Sequence, residues 1–283
     1  MFRNFNAGAI GVRVPFEEAC KLAAAYGFQG IDVGVGDIER LGSVEAVKDL
    51  LGVHRLHVGG FGLPGHFLGS DEDWKQGLRT APRYLEMGRK IGATRTFGGV
   101  SPSSDTRTYQ ENFDFYVRRL KPVALVLEDY GFRWGFEFLG PKMFRVGKRY
   151  EFIFDLDSCL DLCNAIRDAN CGLLLDVWHW YTSGGTMDQI EKLSDRKVIY
   201  MHINDAPAGI PVEEQVDNVR CLPGDTGVID VVRILKVLHE NGCTAPVTVE
   251  PFNERVNSLP PEGAGRVTTE ALGNVWEKAG LKE

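Results

Sequence analysis

The sequence predicts an α/β fold, a (β/α)8 TIM barrel. Three observations carry this. Eight short apolar runs recur along 283 residues. A longer amphipathic stretch follows each run. The last four runs carry a carboxylate or an imidazole near their C-terminal end, and in such barrels the chemistry sits at the C-terminal ends of the strands.

The runs are FNAGAI (5–10), GIDVGV (30–35), RLHVGGF (55–61), TRTFGGV (94–100), RWGFEF (133–138), GLLLDV (172–177), VIYMHI (198–203) and PVTVE (246–250). Each has the length and β-branched or aromatic content of a strand. FEEACKLAAAYG (16–27), YQENFDFYVRRLKPVALVLEDYG (109–131) and DVVRILKVLHENG (230–242) read as helices that end at glycine. Pro122 should kink or split the second of these. LPGDTGVID (222–230) reads as a tight turn into a helix capped by Asp230. Alternating strands and helices imply parallel β/α units. No GxGxxG follows the first strand, so a dinucleotide-binding sheet lacks its fingerprint. With no linker or low-complexity tract, residues 1–283 read as one barrel domain. The connections near 60–71, 139–155 and 205–229 are long for a barrel, and long loops on that face usually carry function.

Composition is that of a globular protein, with 43% hydrophobic and 25% charged residues. A net charge of −7 argues against nucleic acid or an anionic membrane as partner. The six cysteines form no CxxC pair, and Cys159 and Cys163 share a helical apolar face. No signal-peptide core or 18-residue apolar run occurs, so the expectation is a reduced, cytoplasmic protein. A small molecule is the expected partner, and self-association as a homo-oligomer is compatible with this reading.

Four residues form the candidate centre: Glu137 in GFEF, Asp176 in LLLDV, His202 in YMHIND and Glu250 in VTVEPF. Alternation points Glu137 inward between outward Phe136 and Phe138. The same parity pairs Asp176 with Leu174, and Glu250 with Thr248. Taken singly, each has an ordinary structural reading as a helix cap, loop anchor or satisfied core histidine. Together, three carboxylates at one mouth would repel, and a divalent cation removes that cost. Oxygen-rich ligation with one imidazole suits Mn²⁺, Mg²⁺ or Co²⁺, and admits Zn²⁺. His179 is placed to orient Asp176 or to meet substrate hydroxyls. Trp178 and Trp180 are candidates for an apolar wall against a sugar, or for packing between barrel and helices. His57 and His66 belong to the third strand and its loop. Lys142, Arg145, Lys148 and Arg149 make a basic loop suited to an anionic substrate or simply to solvent. Arg255 is a further candidate substrate contact.

GFEFLG, GLLLDVWHWYTSGG, VIYMHINDAP, LPGDTGVID and VTVEPF together resemble the xylose isomerase-like barrel superfamily of sugar isomerases and epimerases. The likeness is to its inosose isomerase branch above all, and it is strongest over about 133–255. It implies one divalent metal held by Glu137, Asp176, His202 and Glu250, and a substrate contact from His179. Epimerases of this group also use an arginine six residues after the strand-7 histidine, where this chain has Ala208. The resemblance implies a metal-dependent isomerase or epimerase acting on a ketose, inosose or keto-sugar through an enediolate. Glu137 and Glu250 are the expected acid/base pair. The alternative is a lyase that dehydrates a related ketone on the same scaffold. A related endonuclease activity fits poorly, since it needs several zinc ions, more histidines and a basic face.

Overall fold

The computed structural model describes residues 1–282. Eight parallel strands form the sheet: β1 (Phe2–Phe5), β2 (Gly30–Gly34), β3 (His57–Gly62), β4 (Arg95–Val100), β5 (Arg133–Phe138), β6 (Cys171–Asp176), β7 (Val198–Ile203) and β8 (Pro246–Val249). Around them run α1 (Phe16–Ala25), α2 (Val35–Leu41), α3 (Val44–His54), α4 (Asp71–Lys90), α5 (Tyr109–Asp129), α6 (Leu156–Arg167), α7 (Val177–Thr182), α8 (Met187–Glu191), α9 (Val231–Glu240), α10 (Glu254–Asn257) and α11 (Pro261–Lys278). The strand order is β3-β2-β1-β8-β7-β6-β5-β4. The barrel is therefore nearly closed. Only β3 and β4, which lie side by side, lack a hydrogen-bonded ladder.

Strands β6 and β7 are buried along their whole length, as parallel strands covered on both faces must be. The helices begin where the sequence offers caps. Ser70 with Asp73 and Thr108 with Glu111 form capping boxes for α4 and α5, and Asp230 accepts from the Arg233 amide to start α9. Gly27, Gly131 and Gly242, just past α1, α5 and α9, all take positive φ, which L residues avoid. Cys159 and Cys163 are buried on α6 as expected. Among the described residues, no helix is long and apolar enough to cross a membrane.

Two expectations need correction. The first strand is Phe2–Phe5 and not 5–10; residues 8–10 form a short 3₁₀ turn after Asn6 accepts from the Ala9 amide. Pro122 does not split its helix. α5 runs unbroken through it because Leu120, Val123, Ala124 and Leu127 all bury on the same side.

The barrel interior below the mouth is polar. Asn4 on β1, 1% exposed, donates to Asp32 Oδ1 (2.9 Å), Tyr200 Oη (2.8 Å) and Thr248 Oγ1 (3.0 Å). Tyr200 donates to Asp32 Oδ2 at 2.7 Å. Burial raises the pKa of Asp32 in spite of these donors. The network ties β1, β2, β7 and β8 together directly beneath the candidate site. Replacing Asn4 with leucine keeps the size but leaves three buried polar groups short of a partner. Asn4→Leu should cost about 2 kcal/mol of stability, read as a lower urea midpoint; an unchanged midpoint would count against this role.

Candidate metal and catalytic site

The four strand-end residues do converge. Glu137, Asp176, His202 and Glu250 each offer one donor atom, and these atoms all lie within 4.8 Å of one another. Parallel register accounts for much of this. Asp176 is the β-partner of His202, which in turn pairs with Thr248, two residues before Glu250. Glu137 pairs with Gly99 on β4. His202 Nδ1 sits 3.2 Å from Glu137 Oε1 and 3.3 Å from Glu250 Oε2.

Asp176 ends β6 and caps α7 in one step. Its Oδ1 accepts from the Trp178 amide (2.8 Å) and from Asn204 Nδ2 (3.1 Å). Its Oδ2 accepts from Arg220 Nη1 at 2.8 Å. This arginine is the residue that sequence reading missed. Its side chain is 1% exposed. Nη1 also reaches Glu250 Oε2 (3.2 Å), while Nη2 and Nε hold the Asp217 carboxylate (2.9 Å) and carbonyl (3.0 Å). The guanidinium lies over the rings of Phe252 (4.6 Å) and Trp178 (5.3 Å). Phe252, just past β8, adopts φ of 34°, a strained backbone for a non-glycine residue that sets its ring over the arginine. The only sequence signal was an arginine placed two residues before the LPGDTG turn, inside a loop already marked as long.

That loop is anchored by Asp205, which is fully buried. Its carboxylate accepts from the amides of Ala206, Thr226, Gly227 and Ile229. Its backbone pairs in both directions with Cys221, the neighbour of Arg220. Asn253 Nδ2 donates to the Arg220 carbonyl at 2.8 Å. The arginine is thus fixed from both sides.

The charges tune one another. Burial pushes the Asp176 carboxyl up, but Arg220, His179 and His202 outweigh it and bring it down to about 2. Burial would lower His202, yet Glu250 and Glu137 raise it well above the ordinary imidazole range. Glu250 is lowered because His202 overcomes its burial cost.

Other expectations fare differently. His179 is buried, with Nε2 3.7 Å from Asp176 Oδ2 and 3.5 Å from Arg220 Nη2, which suits the orienting alternative. Gly140 permits this approach, since a Cβ there would sit 2.1 Å from the His179 carbonyl. Trp178 is fully buried beneath Arg220, so it cannot offer a face to a sugar. Trp180 is buried too and packs the core. His57 lies at the start of β3, exposed and edge-on to Phe2, at the end of the barrel away from the mouth. His66 is exposed in the loop after β3. Arg255 is exposed on α10 and makes no hydrogen bond or ion pair with the quartet. In the basic loop, Arg145 donates to the Gly140 carbonyl at 2.7 Å and Lys148 pairs with Asp105 at 3.0 Å. Lys142 and Arg149 face solvent.

The family model for xylose isomerase-like TIM barrels matches residues 20–272, and the chain belongs to that family. An inosose isomerase from Halalkalibacterium halodurans is 27% identical over 165 residues, 57% of this chain and 54% of that protein. The chain thus matches about half the length of that relative. A 3-dehydroshikimate dehydratase from Pseudomonas aeruginosa is 25% identical over 246 residues, 86% of this chain but 37% of that protein. Among solved structures, a xylose isomerase domain protein from Alicyclobacillus acidocaldarius superposes with a TM-score of 0.86 at 28% identity, covering 96% of both chains. The IolI protein with a bound zinc atom gives 0.80 at 21% identity over 99% of both.

Arg220 keeps the folded-state pKa of Asp176 near 2, below its unfolded value of about 3.9. That stability is present above roughly pH 4 and is lost as pH falls through the folded value. Arg220→Met strands a buried carboxylate. In chelator at pH 7 it should destabilise the protein by about 3 kcal/mol. The deficit should shrink on adding Mn²⁺ and as the pH approaches 2. Thermal melts across this grid check it; equal melting of the two proteins in chelator at pH 7 would refute it.

Proposed function

We propose that the protein is a divalent-metal-dependent isomerase or epimerase acting on a ketose, inosose or related keto-sugar. The observation that carries this reading is the convergence of one imidazole and three carboxylates within 4.8 Å. Such a donor set suits a doubly charged ion better than it suits any uncompensated state. Glu137, Asp176, His202 and Glu250 would hold the ion. When bound, it supplies Lewis acidity that stabilises negative charge growing on the carbonyl oxygen of the substrate.

The side chains then divide the work. Asp176 is fixed by Trp178, Asn204 and Arg220, so it is a rigid ligand with little freedom to move a proton. His202 is bracketed by two glutamates and serves likewise. Glu137 and Glu250 stand on β5 and at the end of β8, on different sides of the mouth, and are partly exposed. One removes the proton α to the carbonyl to give an enediolate, and the other returns it. Return to the neighbouring carbon isomerises; return to the opposite face epimerises. Arg220 balances the negative charge at the edge of the site. Each of its nitrogens is already engaged, and Arg145 and Lys148 are bound elsewhere. The inosose isomerase relatives support the reaction class, and the zinc-bound IolI protein supports the presence of a metal.

The dehydratase relative favours a second reading on the same intermediate. Expulsion of a β-hydroxyl from the enediolate would give a lyase. Mass spectrometry of products separates the two, since elimination loses water and isomerisation conserves mass.

Glu137→Gln and Glu250→Gln should each lower turnover by 10²-fold or more, and an unreactive variant that retains metal shows the loss is in proton transfer. Metal content is measured beside activity; full activity in both variants at full occupancy would remove the glutamates from the chemistry. In D₂O, the wild-type protein should wash deuterium into the α-position of a bound ketose. A pure binding module would not.

A further inference from the structure

We infer that two copies of this chain associate face to face through the loops that follow β5 and β7. The inference goes beyond the catalytic reading and does not depend on it.

Eight large apolar side chains are exposed among the described residues, and five of them stand on these two loops. Met143 (51% exposed) and Val146 (66%) belong to the loop after β5. Ile210 (41%), Val216 (47%) and Val219 (53%) belong to the loop after β7. Apolar residues exposed singly are ordinary, whereas a cluster of them marks a contact surface. Met143, Val146 and Val216 line one groove of about 640 Å³ between the loops.

These side chains have no way to hide within their own chain, because both loops are pinned. Gln215, buried inside the second loop, donates to the carbonyls of Pro207 (3.2 Å) and Ile210 (3.1 Å). The Asp205 backbone pairs with Cys221, and its carboxylate accepts from the Thr226 and Gly227 amides, which ties the ends of that loop together. In the first loop, Arg145 donates to the Gly140 carbonyl at 2.7 Å and Ser103 donates to the Phe144 carbonyl at 3.0 Å. The cluster stays outward until another molecule covers it.

The charges point to that molecule. Residues 142–149 include Lys142, Arg145, Lys148 and Arg149 and no acid. Residues 210–219 include Glu213, Glu214 and Asp217 and no base. Lys142, Glu213 and Glu214 line the groove, are exposed, and make no ion pair among the described residues. A twofold axis through the groove lays the basic loop of one copy on the acidic loop of the other, and does so twice. Such an interface needs a patch that is complementary to itself. This patch is: both loops bring apolar side chains, and they carry opposite charge. The net charge of −7 opposes random contact between copies, so local pairing of opposite charges selects the faces that meet. Arg220 stands at the end of the second loop, so the contact braces the segment that delivers its guanidinium to Asp176.

The test is sedimentation velocity across a concentration series at low salt. The wild-type chain should form dimers. Lys142→Glu alone sets acid against acid, and the double variant Glu213→Lys, Glu214→Lys sets base against base. Each should weaken the dimer on the order of tenfold or more. An equimolar mixture of the two variants restores opposite charges at both contacts, and should form a heterodimer with close to wild-type affinity. Val216→Asp should weaken self-association in the same assay. All four positions are exposed, and unchanged circular dichroism checks that the variants fold. A wild-type chain that stays monomeric at the highest concentration reached, leaving the face to some other partner, would overturn the inference. So would a dimer indifferent to these substitutions, or a mixture no tighter than either variant alone.

Discussion

Three carboxylates and an imidazole share a space a few ångströms across at the end of a parallel barrel, and most of the local architecture manages that crowding. Carboxylates this close repel, and burial makes the repulsion worse because the low-dielectric surroundings screen it poorly. Positive charge must therefore be present. Arg220 supplies it at the Asp176–Glu250 side, and a protonated His202, or a cation that His202 ligates in its neutral form, supplies it at the Glu137–Glu250 side. Around this pair the protein commits further resources. A fully buried Asp205 clamps the loop, Asn253 holds the arginine's backbone, and Phe252 accepts a strained φ to cover its guanidinium. Each device has a local cost, and each makes sense as support for one buried cation.

The two halves of the barrel then do different work. Strands β5 to β8 contribute the donor quartet. Strands β1 to β4 contribute Asn4, Asp32, Phe97 and a set of glycines, with no ligand among them. The second half carries the crowded charges, and the first half carries the neutral and hydrogen-bonded floor beneath them. The seam between β3 and β4 lies in the first half, with the Phe97 ring packed close over Gly60.

Much of this was legible in the sequence. Seven of the eight strands were placed to within two residues, since a parallel strand buried on both faces is a continuous apolar run and reads plainly; the first, FRNF, is broken by polar residues and was set too late. The quartet was legible because each member sits within one residue of the end of its own strand, so local position was enough. What failed was whatever depended on how distant segments meet. Trp178 looked like a substrate contact from its nearness in sequence to Asp176, but the turn of α7 buries it. Pro122 was expected to break α5, but burial of one apolar face outweighed a single missing hydrogen bond. Arg220 was invisible for the converse reason. It stands eighteen residues beyond His202, at the far side of an irregular loop, and only the Asp205 clamp and the Cys221 pairing bring it back.

That arginine also bears on how the resemblance to epimerases should be carried over. The expected position after the strand-7 histidine holds Ala208, which by position alone would mean a lost function. In space a guanidinium does reach the site, from Arg220, but its nitrogens bind Asp176, Glu250 and Asp217. What the crowded carboxylates require is a positive charge touching Asp176 and Glu250, and nothing in that requirement fixes the number of residues between histidine and arginine. Loop length is cheap to vary, since closure entropy grows only slowly with it. Leaving the carboxylates uncompensated is not cheap.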